Sequence, residues 1–123
     1  MIYIVEDEPV MAECLAGICT AVKPELKKKI FSDAIAAVTA LDEDERKGEL
    51  PKLILLDILL NGPNGFTLLN ELASYPKTAE IPVIVISSLD FQNYNLSAYG
   101  VVGILNKENL TPTELSEYLE RYV

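Results

Sequence analysis

Apolar positions along the chain follow two rhythms that alternate from one end to the other. Ile2–Val5 (IYIV), Leu53–Leu56 (LILL) and Val83–Ile86 (VIVI) are short unbroken runs, the pattern of strands buried on both faces. Val101–Leu105 reads as a further strand and Lys29–Phe31 as a weaker one. Between them the spacing becomes helical. Pro9 suits a first helical turn, and Val10, Met11, Cys14, Leu15 and Ile18 make one face of a helix to about Val22, ended near Pro24. Ser32 or Asp33 can cap a second helix over Ala34–Leu41. The charge-dense stretch Asp42–Leu50 (DEDERKGEL) is expected to extend that helix and then become a solvated loop.

Asn61-Gly62-Pro63-Asn64-Gly65 is a dense turn signal, followed by a helix from about Phe66 to Tyr75. A short helix near Gln92–Tyr99 is expected to stop at Gly100. Thr111-Pro112-Thr113-Glu114 opens the last helix, with Thr as cap, Pro at the first position and Glu completing a capping box. Five strands and five helices in strict alternation predict an α/β fold, a parallel doubly wound sheet covered on both faces.

Composition narrows this picture. The 123 residues suit one domain, residues 1–123. No apolar run approaches the roughly 18 residues of a membrane span. Ile2–Val5 is too short for a signal peptide and runs into acid, so the expectation is a cytoplasmic protein with no membrane partner. The formal charge is −9, from 19 acidic and 10 basic residues, which argues against nucleic-acid binding by this domain. The one basic cluster, Lys27-Lys28-Lys29, reads as a solvated approach to a strand. Cys14 and Cys19 read as reduced thiols in a helix. Histidine is absent, which excludes a Ser-His-Asp triad, a His-ligated zinc and phosphohistidine chemistry on this chain.

Open α/β sheets bind ligands beyond the carboxyl ends of their strands, and the polar residues collect there. Glu6-Asp7-Glu8 follow the first strand, Asp57 the third, Ser87 the fourth and Lys107 the fifth. Two carboxylates about 5 Å apart repel by roughly 3 kcal/mol at an effective dielectric near 20. A cluster therefore calls for a hard, oxygen-seeking cation such as Mg2+. Lys107 adds a positive charge without competing as a ligand, and Ser87 adds a hydroxyl donor. An ionised Asp57 beside such a cation can act as a nucleophile and form an acyl phosphate. Taken singly, these residues have plainer roles: Glu8 is expected to cap the following helix, and an Asp at a strand end is often only a turn residue.

Together they resemble the response-regulator receiver domains of two-component signalling, over essentially the whole chain. Glu6-Asp7 within VEDE looks like that family's acidic pair, and LILLD puts Asp57 at the place of its phosphorylated aspartate. Asn64-Gly65 matches the glycine eight residues beyond the acceptor. Ser87 in VIVISS matches the hydroxyl residue after the fourth strand. Lys107 in GVVGILNK matches the family lysine, with Gly100 seven residues before it.

The resemblance implies a flavodoxin-like (βα)5 fold of strand order 2-1-3-4-5. It implies a phosphoacceptor that takes a phosphoryl group onto Asp57 from a sensor histidine kinase or phosphotransfer protein. Such a domain is not an enzyme in the ordinary sense, since it catalyses only its own phosphoryl transfer and dephosphorylation. Asp7, Asp57 and the backbone carbonyl of Leu59 would ligate Mg2+, with Glu6 acting through metal-bound water. Lys107 and Ser87 would engage the phosphoryl group. An unidentified downstream protein or output domain, and a phosphorylation-dependent dimer, would read the signalling face formed by the fourth helix, fifth strand and fifth helix, with Tyr94 and Tyr99.

The departures are specific. Ile104 stands where the family often has an aromatic residue, and Glu108 follows the lysine in place of proline. Leu60-Asn61 replaces the frequent Met-Pro. These leave a pseudo-receiver, a phosphorylation-independent interaction module, as the alternative. A phosphatase of the dehalogenase type would need Asp-x-Asp where this chain has Glu6-Asp7-Glu8, and a flavin protein would need a phosphate-cradling loop after the first strand. Leu59 and Leu89, two residues beyond the acceptor and the serine, are expected to hinder an attacking water and prolong the phosphorylated form.

Overall fold

In the computed structural model, which describes residues 1–60, 64–89 and 96–123, the strict alternation becomes one parallel sheet. The strands are β1 (Ile2–Val5), β2 (Lys28–Phe31), β3 (Leu53–Leu56), β4 (Val83–Ser87) and β5 (Val101–Asn106), in the order β2-β1-β3-β4-β5. The helices are α1 (Pro9–Val22), α2 (Ala34–Arg46), α3 (Gly65–Ala73), the single turn α4 (Pro76–Ala79) and α5 (Pro112–Tyr122), with a 3-10 turn at Ser97–Tyr99.

The unbroken apolar runs are explained by burial on both faces. Alternate side chains of each strand go to opposite sides of the sheet. Tyr3, Val5, Ile54, Leu56, Val83 and Val85 pack with α2 and α3 residues such as Ala37, Leu68 and Leu72. Ile2, Ile4, Leu53, Leu55, Ile84 and Ile86 pack on the other side with Leu15 and Cys19 of α1 and Leu115 and Leu119 of α5. Each such aliphatic side chain contributes about 1.5–3 kcal/mol when fully buried. The Cys19 thiol is buried, which pushes its pKa up to about 11, while Cys14 is exposed; both are free thiols.

Local chemistry sets the helix ends. Asp33, rather than Ser32, caps α2, its Oδ1 accepting from Ala36 N–H at 2.7 Å. The predicted capping box of α5 forms, Thr111 Oγ1 accepting from Glu114 N–H and Glu114 Oε1 accepting from Thr111 N–H. The helix expected to run to Tyr75 ends at Ala73, because Pro76 forces the residue before it into extended backbone (φ −128°, ψ 137°) and starts α4 instead. Of the helix expected near Gln92–Tyr99, the described part is the 3-10 turn, closed by Gly100 at φ 80°. Its residues up to Asn95, with Tyr94, lie outside the described residues, as do Asn61, Gly62 and Pro63 of the expected turn. Tyr99 is partly buried against the α2–α3 side of the core, as is Ile104.

Helix α2 extends into the charge-dense stretch, to Arg46, as expected, and within that extension Asp44 is buried. Its carboxylate accepts a short hydrogen bond from the Tyr3 hydroxyl and pairs with Lys29 Nζ at 2.9 Å. Burial alone would raise the Asp44 pKa, but Tyr3 and Lys29 outweigh it and hold the carboxyl below the ordinary range. The same ion pair corrects the basic cluster, since Lys29 lies within β2 and serves a buried acid.

Candidate functional site

The sheet's hydrogen bonding continues one residue past the strand ends, and that places the polar residues. Glu6 N–H donates to Phe31 O at 2.9 Å, Asp57 N–H to Val5 O at 3.0 Å, and Lys107 N–H to Ser87 O at 3.0 Å. Neighbouring strands thus hold the backbones of Glu6, Asp57 and Lys107 at one rim. The Asp57 backbone is held from a second side by Gly65, whose N–H donates to Ile58 O at 2.8 Å. A Cβ at Gly65 would come within 2.7 Å of Ile58 Cα and 2.8 Å of Asp57 O, so this close approach admits only glycine. Asn64 caps the same helix, its Oδ1 accepting from Phe66 N–H at 3.0 Å.

Lys107 is the centre of charge. Its Nζ lies 2.9 Å from Asp57 Oδ2, 2.9 Å from Glu6 Oε2 and 3.5 Å from Glu8 Oε1. Glu6 and Asp57 are 2% and 3% exposed, so both carboxylates depend on this cation. Burial would lower the Lys107 pKa, but hydrogen bonds to Glu6 and Asp57 raise it above the ordinary range, so the ammonium stays charged. For Glu6 burial is the largest influence and raises its pKa, with Asp57 adding to the rise and Lys107 and the Glu8 N–H opposing it. Asp57 Oδ1 accepts from Leu59 N–H at 3.0 Å, and Ser87 Oγ accepts from Leu89 N–H at 3.3 Å.

One ammonium against this many carboxylates leaves negative charge uncompensated. Carboxylate oxygens of Glu6, Asp7 and Glu8 lie within 4.8 Å of one another. Glu6 Oε2 is buried, and the Lys107 ammonium it meets at 2.9 Å is shared with Asp57 and Glu8. An all-oxygen donor set with more carboxylates than its one ammonium can balance fits a hard divalent cation such as Mg2+.

The residues singled out in the sequence therefore fall into two overlapping groups: Glu6, Asp57 and Lys107 about the ammonium, and Glu6 and Asp7 in the carboxylate cluster. Ser87 is buried at the same rim. Leu59 reaches Asp57 through its N–H. Glu8 is corrected. It occupies the cap position of α1, yet its side chain makes no capping hydrogen bond and faces Lys107 instead. Glutamate is a poor helix cap, and that preference was the available signal.

The response regulator receiver domain model matches residues 2–120. The chain belongs to that family. As a receiver domain of two-component signalling, it is 42% identical over 59 residues to the response regulator PleD of Caulobacter vibrioides (strain NA1000 / CB15N), a match covering 48% of this chain and 13% of PleD. It is 27% identical to the receiver domain of NtrX from Brucella abortus, with a TM-score of 0.79 over 99% of this chain and 97% of that one. The receiver domain of the sensor histidine kinase PA1611 from Pseudomonas aeruginosa PAO1 shares its fold, at 22% identity and a TM-score of 0.79 over 98% and 94% of the two chains. No helix among the described residues is long and apolar enough to cross a membrane.

Proposed function

We propose that this receiver domain accepts a phosphoryl group on Asp57 from a phosphohistidine of a sensor histidine kinase or phosphotransfer protein, with Mg2+ bound at Glu6, Asp7, Asp57 and the Leu59 carbonyl. The observation that carries the reading is the buried Asp57 carboxylate, held by Lys107 at 2.9 Å and by the Leu59 N–H at 3.0 Å beside a surplus of acid. The PA1611 receiver domain, of the same fold, has a magnesium ion coordinated in its active site cleft.

An Asp57 oxygen attacks phosphorus, the P–N bond to the donor imidazole breaks, and the imidazole nitrogen keeps the electron pair and takes up a proton. The Leu59 N–H and the Lys107 ammonium fix the carboxylate's orientation before attack, so little reorganisation remains. Lys107, already within reach of Asp57, pairs with a phosphoryl oxygen as charge arrives. The Ser87 hydroxyl donates to another. A bound Mg2+ supplies Lewis-acid neutralisation of the phosphoryl oxygens. The chemistry serves only the domain's own phosphorylation and dephosphorylation. Its output is a changed surface around β5 and α5 for a downstream protein, an output domain or a second copy, in the cytoplasm.

Acetyl phosphate, or beryllofluoride, with Mg2+ tests the reading without a cognate kinase. A Mg2+-dependent modification of the parent that is absent in Asp57→Ala supports it. Modification of neither protein favours the phosphorylation-independent module.

A further inference from the structure

We propose that Glu8 is the exchangeable carboxylate of the site: it pairs with Lys107 when no cation is bound and turns to the divalent cation when one is, freeing Lys107 for the phosphoryl group. The inference rests on the Mg2+-dependent acceptor reading above and assigns a further member to it.

Four observations lead there. First, Glu8 stands where a helix cap would, but its side chain makes no capping hydrogen bond and lies 3.5 Å from Lys107 Nζ. Second, its backbone is set for this: the Glu8 N–H donates to Glu6 Oε1 at 3.1 Å, folding the turn so that both side chains share one rim. Third, the three carboxylates that contact Lys107 differ in freedom. The side chains of Glu6 and Asp57 are 0% and 3% exposed, whereas that of Glu8 is 67% exposed and holds the longest contact. Turning Glu8 through solvent breaks no packing and leaves no polar atom buried. Fourth, Glu8 already shares the carboxylate cluster with Glu6 and Asp7.

Charge gives the exchange its direction. A single ammonium attracts Glu8 less strongly than a divalent centre at a similar distance would. Once Glu8 has turned, Lys107 loses its outer partner and keeps only the buried pair. Its open side is then available to a phosphoryl oxygen. Glu8 thus acts as a positioning residue, and its effect is separable from Asp57 chemistry.

The test reads metal binding directly, on the whole chain. Mg2+ affinity is measured by calorimetry for the parent, for Glu8→Gln and for Glu120→Gln, which removes the same charge at the far end of α5. In carbon-13-labelled parent, the Glu8 carboxylate resonance is followed through the same titration. Glu8→Gln is expected to weaken Mg2+ binding by about fivefold or more, with Glu120→Gln unchanged because screening removes distant charges. The Glu8 resonance should shift with the midpoint of the binding isotherm. Equal affinities for Glu8→Gln and Glu120→Gln, or a Glu8 resonance that stays fixed at saturation, would overturn the exchange while leaving the acceptor reading intact. A parent that binds no Mg2+ overturns both.

Discussion

Two buried ion clusters among the described residues differ in how well their charges balance. Near the start of β1, Tyr3 and Lys29 surround one carboxylate, Asp44. One cation meets one anion, and a hydroxyl satisfies the remainder. Beyond the end of β1, one cation, Lys107, meets Glu6, Asp57 and the outer Glu8, with Asp7 in the same acidic group. The titration directions follow: Asp44 is held down by its partners, whereas Glu6 is pushed up by burial that its partners only partly oppose. A balanced cluster ties β1, β2 and α2 together and needs nothing else. An unbalanced one stores a deficit of positive charge that a metal ion can fill. Buried charge is therefore not in itself a mark of function; the deficit is.

The contrast can be broken at several points. Asp57→Ala should abolish Mg2+-dependent labelling by acetyl phosphate, read by phosphate-affinity electrophoresis, whereas Asp44→Asn should retain it. Lys107→Met leaves Glu6 and Asp57 buried without their cation and should cost about 3 kcal/mol in metal-free urea unfolding. Added Mg2+ should return part of that loss. Asp44→Asn should cost about 2 kcal/mol, with no recovery in Mg2+; a recovery equal to that of Lys107→Met would end the distinction between the clusters.

A smaller effect concerns water at the upper cluster. Leu59 and Leu89 flank it and are 46% and 49% exposed. Leu59→Asn/Leu89→Glu should hydrolyse its aspartyl phosphate several-fold faster than the parent, and equal lifetimes would remove the leucines from the account. The smallest concerns pH. The Asp44 pKa is lowered in the folded state, so the folded protein binds fewer protons than the unfolded chain in that range. The stability Asp44 contributes is present above the ordinary carboxylate pKa of about 4 and is lost as pH falls through the lower folded value. The stability gap between the parent and Asp44→Asn should close under acid, as measured by thermal unfolding from pH 6 downward (roughly to pH 3, where most carboxylates protonate).

Much of this molecule is legible without coordinates because its signals are local. The runs IYIV, LILL and VIVI announce two-sided burial, and the residue after each run must then lie at a strand end. That is how Glu6, Asp57 and Ser87 can be named together. The Thr111–Glu114 box and the helix end just ahead of Pro76 are equally local. The burial of Asp44 is not legible in this way. In DEDERKGEL it is one acid among several, and only the crossing of α2 over Tyr3 and Lys29 selects it for burial. The place of Glu8 at the helix start points to a cap, while its partner Lys107 is distant in sequence.

The order of apolar and polar residues by itself determined the elements, the two-sided sheet and the rim at which acid, hydroxyl and ammonium collect. Side-chain period and strand length are properties of neighbours along the chain. Tertiary structure alone decided which charges share a partner: Lys29 with Asp44, and Lys107 with Glu6, Asp57 and Glu8. Pairing depends on distance and burial across separate strands and helices, and those exist only once the sheet has brought its ends together.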